Sequence, residues 1–169
     1  QEAPTSKSVR FKWREHVTKT VSENGEALEK FCNALKDGDS KVVEQSLNNY
    51  LKKTISIWDT FVKKQMKENF YHGILLGILG FQQNWSVSSN KESGDGYSDI
   101  LIKTEDQEIG IIIEIKYAET GNLEAVSKDA LKQIEDRRYE EQLLEEGVEH
   151  ILKYGIAFYK KKCKVMVVK

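Results

Sequence analysis

From Ser8 to about Phe81 the apolar positions recur three and four residues apart, as in Leu28, Phe31, Cys32 and Leu35, or in Val43, Leu47, Tyr50 and Leu51. That period lets an α-helix bury a single stripe, so several helices are expected here. Asn24-Gly25, Asp37-Gly38-Asp39-Ser40 and a turn near Asp59-Thr60 divide them, with Asp39 or Ser40 available as an N-cap. After Phe81 the pattern shortens to β segments, Trp85 to Ser89, Tyr97 to Lys103 and Glu108 to Tyr117, separated by SNKESGDG and TEDQ, which are turn chemistry. Three strands in succession predict a meander. Leu123 to Leu144 returns to helical spacing through Leu123, Val126, Ala130 and Ile134, and Tyr154 to Tyr159 and Cys163 to Val168 predict two last strands around Lys160-Lys161-Lys162.

The third strand holds a contradiction. Gly110 to Ile115 is apolar enough for a strand buried on both faces, yet Glu114 and Lys116 sit in and beside its end. A carboxylate and an amine there carry a desolvation cost that something must offset. Strand alternation sends Ile111, Ile113 and Ile115 one way and Ile112, Glu114 and Lys116 the other. With the hairpin closing around Thr104 to Gln107 and Lys103 opposite Glu108, Asp99 is expected opposite Ile112, on the face of Glu114 and one pleat away. Slipping the register by one residue would send Asp99 to the other side.

Composition narrows the context. A chain of 169 residues is one ordinary domain in length, able to bury a core without staples. Its 31% charged residues balance to a formal net charge of -1, which excludes a histone-like basic protein and leaves nucleic-acid binding to a local patch. Cys32 and Cys163 form no CxxC or Cys/His spacing, so neither a disulfide framework nor a zinc site is indicated. The longest apolar region, Gly73 to Phe81, is too short to span a bilayer, and the N-terminus lacks the features of a secretion signal; no membrane association and a cytoplasmic home are expected. The chain opens on Gln1 rather than Met, as a piece of a longer protein would.

Two close carboxylates repel, and burial raises the cost of ionising both unless a cation sits between them. Hard oxygen donors favour Mg2+ or Mn2+ over zinc. Such an ion stabilises charge on a phosphoryl oxygen, and Lys116 is placed to orient a nucleophile, a combination suited to phosphodiester hydrolysis.

Ser98-Asp99 followed on the next strand by Glu114-Ile115-Lys116 resembles the signature of the PD-(D/E)xK nuclease superfamily. The ordered blocks KENFYHGILLGILG, SNKESGDGYSDI, IIIEIKYA and ALKQIEDRRY look more specifically like the nuclease-type domain found C-terminal to AAA-type ATPase-like domains in bacteria and archaea, over about Leu28 to Val168. The resemblance implies an α/β fold with a restriction-endonuclease-like core, a mixed central sheet of about five strands flanked by helices, and an N-terminal helical extension. The division expected is 1–60 for the extension and 61–169 for the core. It further implies Asp99, Glu114, the Ile115 carbonyl and Glu68 as metal ligands, Lys116 and Gln133 as catalytic partners, and Mg2+ or Mn2+ as the cofactor. Nucleic acid, DNA before RNA, is the implied substrate, and an attached N-terminal AAA-type ATPase-like domain the implied partner. The alternative is a catalytically inactive binding or regulatory domain with the same fold. Tyr97-Ser98 departs from the relatives, in which an Arg often follows the second Gly of the turn and a Pro precedes the Asp.

Each residue also has a plainer reading. Glu114 and Lys116 could form a solvated pair at a strand end. Glu68 could lie on a helix surface, although it shares a stripe with Tyr71, Leu75 and Leu79. His72 reads as a packed histidine, Lys160 to Lys162 as a solvated turn with a minority role at phosphate beside Lys128, Lys132, Arg137 and Arg138, and Trp13, Trp58 and Trp85 as core or interface aromatics.

Overall fold

A computed structural model describes residues 25–54, 64–91, 97–137 and 139–169 of the chain. The turn expected near Asp59-Thr60, the boundary expected at residue 60, Trp13, Trp58 and Arg138 lie outside the described residues. Among the described residues three helices come first, α1 (Gly25–Asp37), α2 (Ser40–Thr54) and α3 (Lys64–Leu79), then strands β1 (Ser86–Lys91), β2 (Tyr97–Lys103) and β3 (Ile109–Tyr117). Helices α4 (Leu123–Asp136) and α5 (Tyr139–Glu145) precede β4 (His150–Tyr159) and β5 (Lys162–Val168).

The helical spacing read from the sequence matches the buried positions. Phe31, Cys32, Ala34 and Leu35 are the buried face of α1, and Val43, Leu47 and Leu51 that of α2. Between them Gly38 takes the left-handed backbone (φ 72°) that ends a helix at low steric cost, and Asp39 Oδ1 accepts from Val42 N at 3.1 Å as the N-cap of α2.

The sheet has five strands in the order β1-β2-β3-β4-β5. β1, β2 and β3 form the expected antiparallel meander, β3 and β4 run parallel, and β4 and β5 close as an antiparallel hairpin. A parallel neighbour requires a crossover, which α4 and α5 supply. The fold is therefore α/β with a mixed sheet, as expected. Edge strand β5 is covered by α2: Asn48 Oδ1 accepts from Cys163 N at 2.8 Å and Glu44 Oε2 from Val165 N at 2.9 Å, so two edge N–H groups are not left to pair with another chain.

The fourth strand begins at His150, four residues before the expected Tyr154, and two features nearer Asp99 and Glu114 also differ from the sequence expectation. The β2–β3 register pairs Lys103 with Gly110 and Asp99 with Glu114, rather than Lys103 with Glu108 and Asp99 with Ile112. The cause is a wider loop: Thr104 N donates to Ile109 O at 3.0 Å, so Thr104 and Ile109 close the hairpin and Glu108 belongs to the turn. Gln107, at φ 60°, and the Asp106 carboxylate, which accepts from Thr104 Oγ1 and Glu108 N, shape that loop. The shift is an even number of residues, so Asp99 keeps its face. The second difference is that the helix expected over Leu123 to Leu144 ends at an Arg137 cap (φ -99°, ψ -1°) and restarts at Tyr139. The break lets Leu143 enter a core cluster with Leu101, Ile112, Ile134 and Val148.

Each face of the sheet has its own core. The larger joins α1, α2 and α3 to Ile100, Ile102, Ile111, Ile113, Ile115, Tyr154, Ile156 and Phe158. The smaller lies under α4 and α5. Helix α4 sits very close to β4 at Gly155, where an added Cβ would lie 2.3 Å from Ser127 O and 2.9 Å from Leu131 Cγ, and Ser127 Oγ donates to Gly155 O at 2.7 Å. Only glycine permits that approach.

Candidate active site

Alternation along β3 divides its side chains as the sequence requires. Ile111, Ile113, Ile115 and Tyr117 join the larger core, and Ile112 joins the smaller one, so Glu114 and Lys116 point with Ile112 toward the α4 side. Because Asp99 is the register partner of Glu114, the two carboxylates stand on one face of neighbouring strands. They are deeply buried, with Asp99 0% and Glu114 1% exposed. Lys116, half-buried, follows on the same face at the end of the strand.

The buried acids are only partly satisfied. Arg137, at the C-terminus of α4, donates from Nη1 to Asp99 Oδ2 at 3.0 Å. Glu114 Oε2 is buried and accepts no hydrogen bond among the described residues. A buried acceptor left so costs about 1–3 kcal/mol, more if charged, and marks where a cation or water would be held.

The other expected site residues take different stations. Glu68 reaches the end of β3 from α3, where its Oε1 accepts from Tyr117 N at 3.1 Å. Ile115 buries its side chain in the larger core, so it can serve the site only through its backbone. Gln133 lies one helical turn before Arg137 on α4, half-buried and on the same helix face. His72 is packed: it is 3% exposed and its Nε2 lies 3.0 Å from Ser89 Oγ. Burial lowers its pKa, opposed in part by a hydrogen bond to the Asp99 backbone.

Sequence reasoning grouped Arg137 with phosphate-contacting surface cations and gave no hint of its bond to Asp99. That contact joins α4 to β2 across 38 positions, and no local pattern encodes it. It also missed an aromatic group at the same end of the sheet. Tyr71 stacks on Phe158 with centroids 4.4 Å apart, and its hydroxyl donates to Lys160 O at 2.6 Å. Lys67 Nζ sits 4.6 Å from the Tyr117 ring centroid, and Lys160 Nζ 5.1 Å from that of Tyr159. The periodicity of Tyr71 and Tyr117 announced burial, and their mutual contact is long-range.

A family model described as the PD-(D/E)XK nuclease superfamily matches residues 66–168. The chain belongs to that superfamily. The match spans α3 through β5, the part of the fold that contains Asp99, Glu114, Lys116, Gln133 and Arg137. A comparison with curated proteins gave no match. Members of the PD-(D/E)XK superfamily generally use divalent metal ions. In this chain the donors fit such an ion: two facing buried carboxylates, each with a buried oxygen that accepts no hydrogen bond among the described residues, are hard ligands. Among the described residues no three His, Cys, Asp or Glu side chains gather into a complete metal cage.

Proposed function

We propose that this nuclease-type domain is an active, metal-dependent phosphodiesterase acting on nucleic acid, DNA in preference to RNA. The observation that carries the reading is the pairing of buried Asp99 with buried Glu114, with Lys116 on the same face. Asp99 and Glu114 would hold Mg2+ or Mn2+, with the Ile115 carbonyl as a further oxygen donor and Glu68, bonded to the Tyr117 N–H, reaching the ion through a bound water. The ion, when bound, supplies Lewis-acid stabilisation of the charge developing on a phosphoryl oxygen. Lys116 brings an ammonium to the same face, where it orients the attacking water and offsets negative charge on the phosphate. Gln133, one turn from Arg137, donates its side-chain amide to a phosphate oxygen or to that water. Lys67 and Lys160, held over Tyr117 and Tyr159 at this end of the sheet, offer cations to the nucleic-acid backbone beside the site.

Two further parts of the proposal concern context. The partner is an N-terminal AAA-type ATPase-like domain attached to the helical extension, residues 1–60, with 61–169 as the core, and the setting is the cytoplasm. No helix among the described residues is long and apolar enough to cross a membrane.

The second reading is a silent binding domain, and one observation favours it: a guanidinium already occupies Asp99. The test is cleavage of labelled single- and double-stranded DNA and RNA with Mg2+, Mn2+ or EDTA, by the protein and by its Asp99→Ala and Lys116→Ala variants purified identically. Metal-dependent cutting of DNA that vanishes in both variants is expected. Absence of cutting by a folded, metal-loaded protein would favour the silent domain.

A further inference from the structure

Asp99 is wholly buried on β2, and the Arg137 side chain, 25% exposed, reaches it from the solvent side at the last turn of α4. The helix body does not stop there by accident of glycine or proline: Asp136-Arg137 are ordinary helix formers, and Arg137 closes α4 through its backbone N–H to Ile134 O. A residue at a helix terminus can move its side chain without dragging the helix, because the neighbouring turn is not continued. Fully ionised, the acids it serves would carry two charges on facing residues, and Glu114 Oε2 is still unsatisfied with the guanidinium in place. One monovalent cation therefore neutralises this pair only in part. A divalent ion between the carboxylates would do so fully, and it would repel a guanidinium bonded to the same carboxylate.

We propose that Arg137 is a built-in counter-ion that competes with the divalent cation for Asp99: it holds the metal-free pair together and is displaced from the carboxylate when the ion binds. The inference rests on the metal-site reading given above. Arg137 is on this account a positioning residue that sets how tightly the site takes up its ion, and the contact that favours a silent domain in the second reading is instead the metal-free state of an active one. Charge-assisted Arg–carboxylate bonds are strong enough to make the competition measurable.

The experiment is a calorimetric titration of the whole chain with Mn2+, comparing the protein with Arg137→Gln, with thermal midpoints read in EDTA and in excess Mn2+. Removal of the competitor is expected to tighten the Mn2+ dissociation constant about tenfold or more, the scale of one lost hydrogen bond to a charged group. The variant's midpoint in EDTA falls, and its gain on adding Mn2+ exceeds that of the parent. Equal or weaker Mn2+ affinity in Arg137→Gln would overturn the proposal while leaving the metal site intact. Failure of both proteins to bind Mn2+ would overturn the proposal and the metal-site reading together. Should Arg137→Gln not fold, the parent decides: the Arg137 Nε–H resonance, assigned by its absence in Arg137→Lys, is expected to move on saturation with Mg2+. A resonance that stays in place while Mg2+ binds would contradict displacement.

Discussion

On the face of the sheet covered by α1, α2 and α3, β3 presents Ile111, Ile113 and Ile115 to a continuous apolar core; on the face covered by α4 and α5, the same strand presents Ile112, then Glu114, then Lys116. Both faces are buried, yet only one contains charges. The apolar face removes hydrocarbon from water and has no polar debt to settle, so its residues report on stability. The polar face accepts the desolvation of two carboxylates, which no stability argument explains, since a packed hydrophobic pair would serve the fold as well or better. Buried charged groups of this kind cluster at functional sites, which is the role proposed for this pair. Under the proposed function, that contrast accounts for an isoleucine strand that ends in a carboxylate and an amine.

The contrast can be broken from either side. The largest expected effect is on the polar face: Lys116→Ala lowers metal-dependent cleavage roughly 100- to 1000-fold, the scale of one lost charge-stabilising donor, while the thermal midpoint stays within the error of the parent. Loss of cleavage that merely tracks unfolding would erase the distinction between the faces. On the apolar side, Leu35→Ala removes a fully buried side chain from α1 and is expected to destabilise by about 2–5 kcal/mol in denaturant melts, with cleavage per folded molecule unchanged.

Gly155→Ala tests the close contact that sets α4, and with it Gln133 and Arg137, over the site. Its Cβ meets Ser127 O, so a loss of about 1–3 kcal/mol or more is expected, together with weaker cleavage because α4 must shift outward. A neutral outcome in both readouts would mean that helix position does not matter to the site. The smallest effect is a pH slope. Burial pushes the Cys32 thiol up to about 11, so the folded state keeps a proton that the unfolded chain has given up. The corresponding stability is complete below the ordinary thiol pKa of 9.0 and is lost as pH rises through about 11, at most about 3 kcal/mol. Cys32→Ala should lessen that alkaline slope in chemical melts without removing it, because burial also raises the Cys163 thiol and the Tyr154 hydroxyl; an unchanged slope would place its origin in groups other than Cys32.

How much of this was legible in the chain depends on the range of the interaction. The alternation Ile111 to Lys116 and the stripe Phe31, Cys32, Leu35 are periodic, so their buried faces follow from sequence alone. The face shared by Asp99 and Glu114 was legible too, but their pairing was not, because the turn was read as tighter than Thr104 and Asp106 make it. Parity survived that error; the opposite residue did not. The end of α4 at Arg137 carries no Gly or Pro signal, and its cause, Leu143 turning into the core beside Ile112, is tertiary. The bonds from Arg137 to Asp99 and from Glu68 to the Tyr117 N–H join residues far apart in the chain and were invisible to any local rule.

The most direct test of the central claim reads stability and cleavage in the same samples of the parent protein and Glu114→Gln, a change that keeps shape and removes one buried charge. Metal-dependent cleavage should be abolished while the thermal midpoint in EDTA holds or rises, because the metal-free fold is relieved of a carboxylate oxygen it does not satisfy. Retained cleavage, or a collapse of the midpoint, would contradict the assignment of the polar face to chemistry rather than to folding.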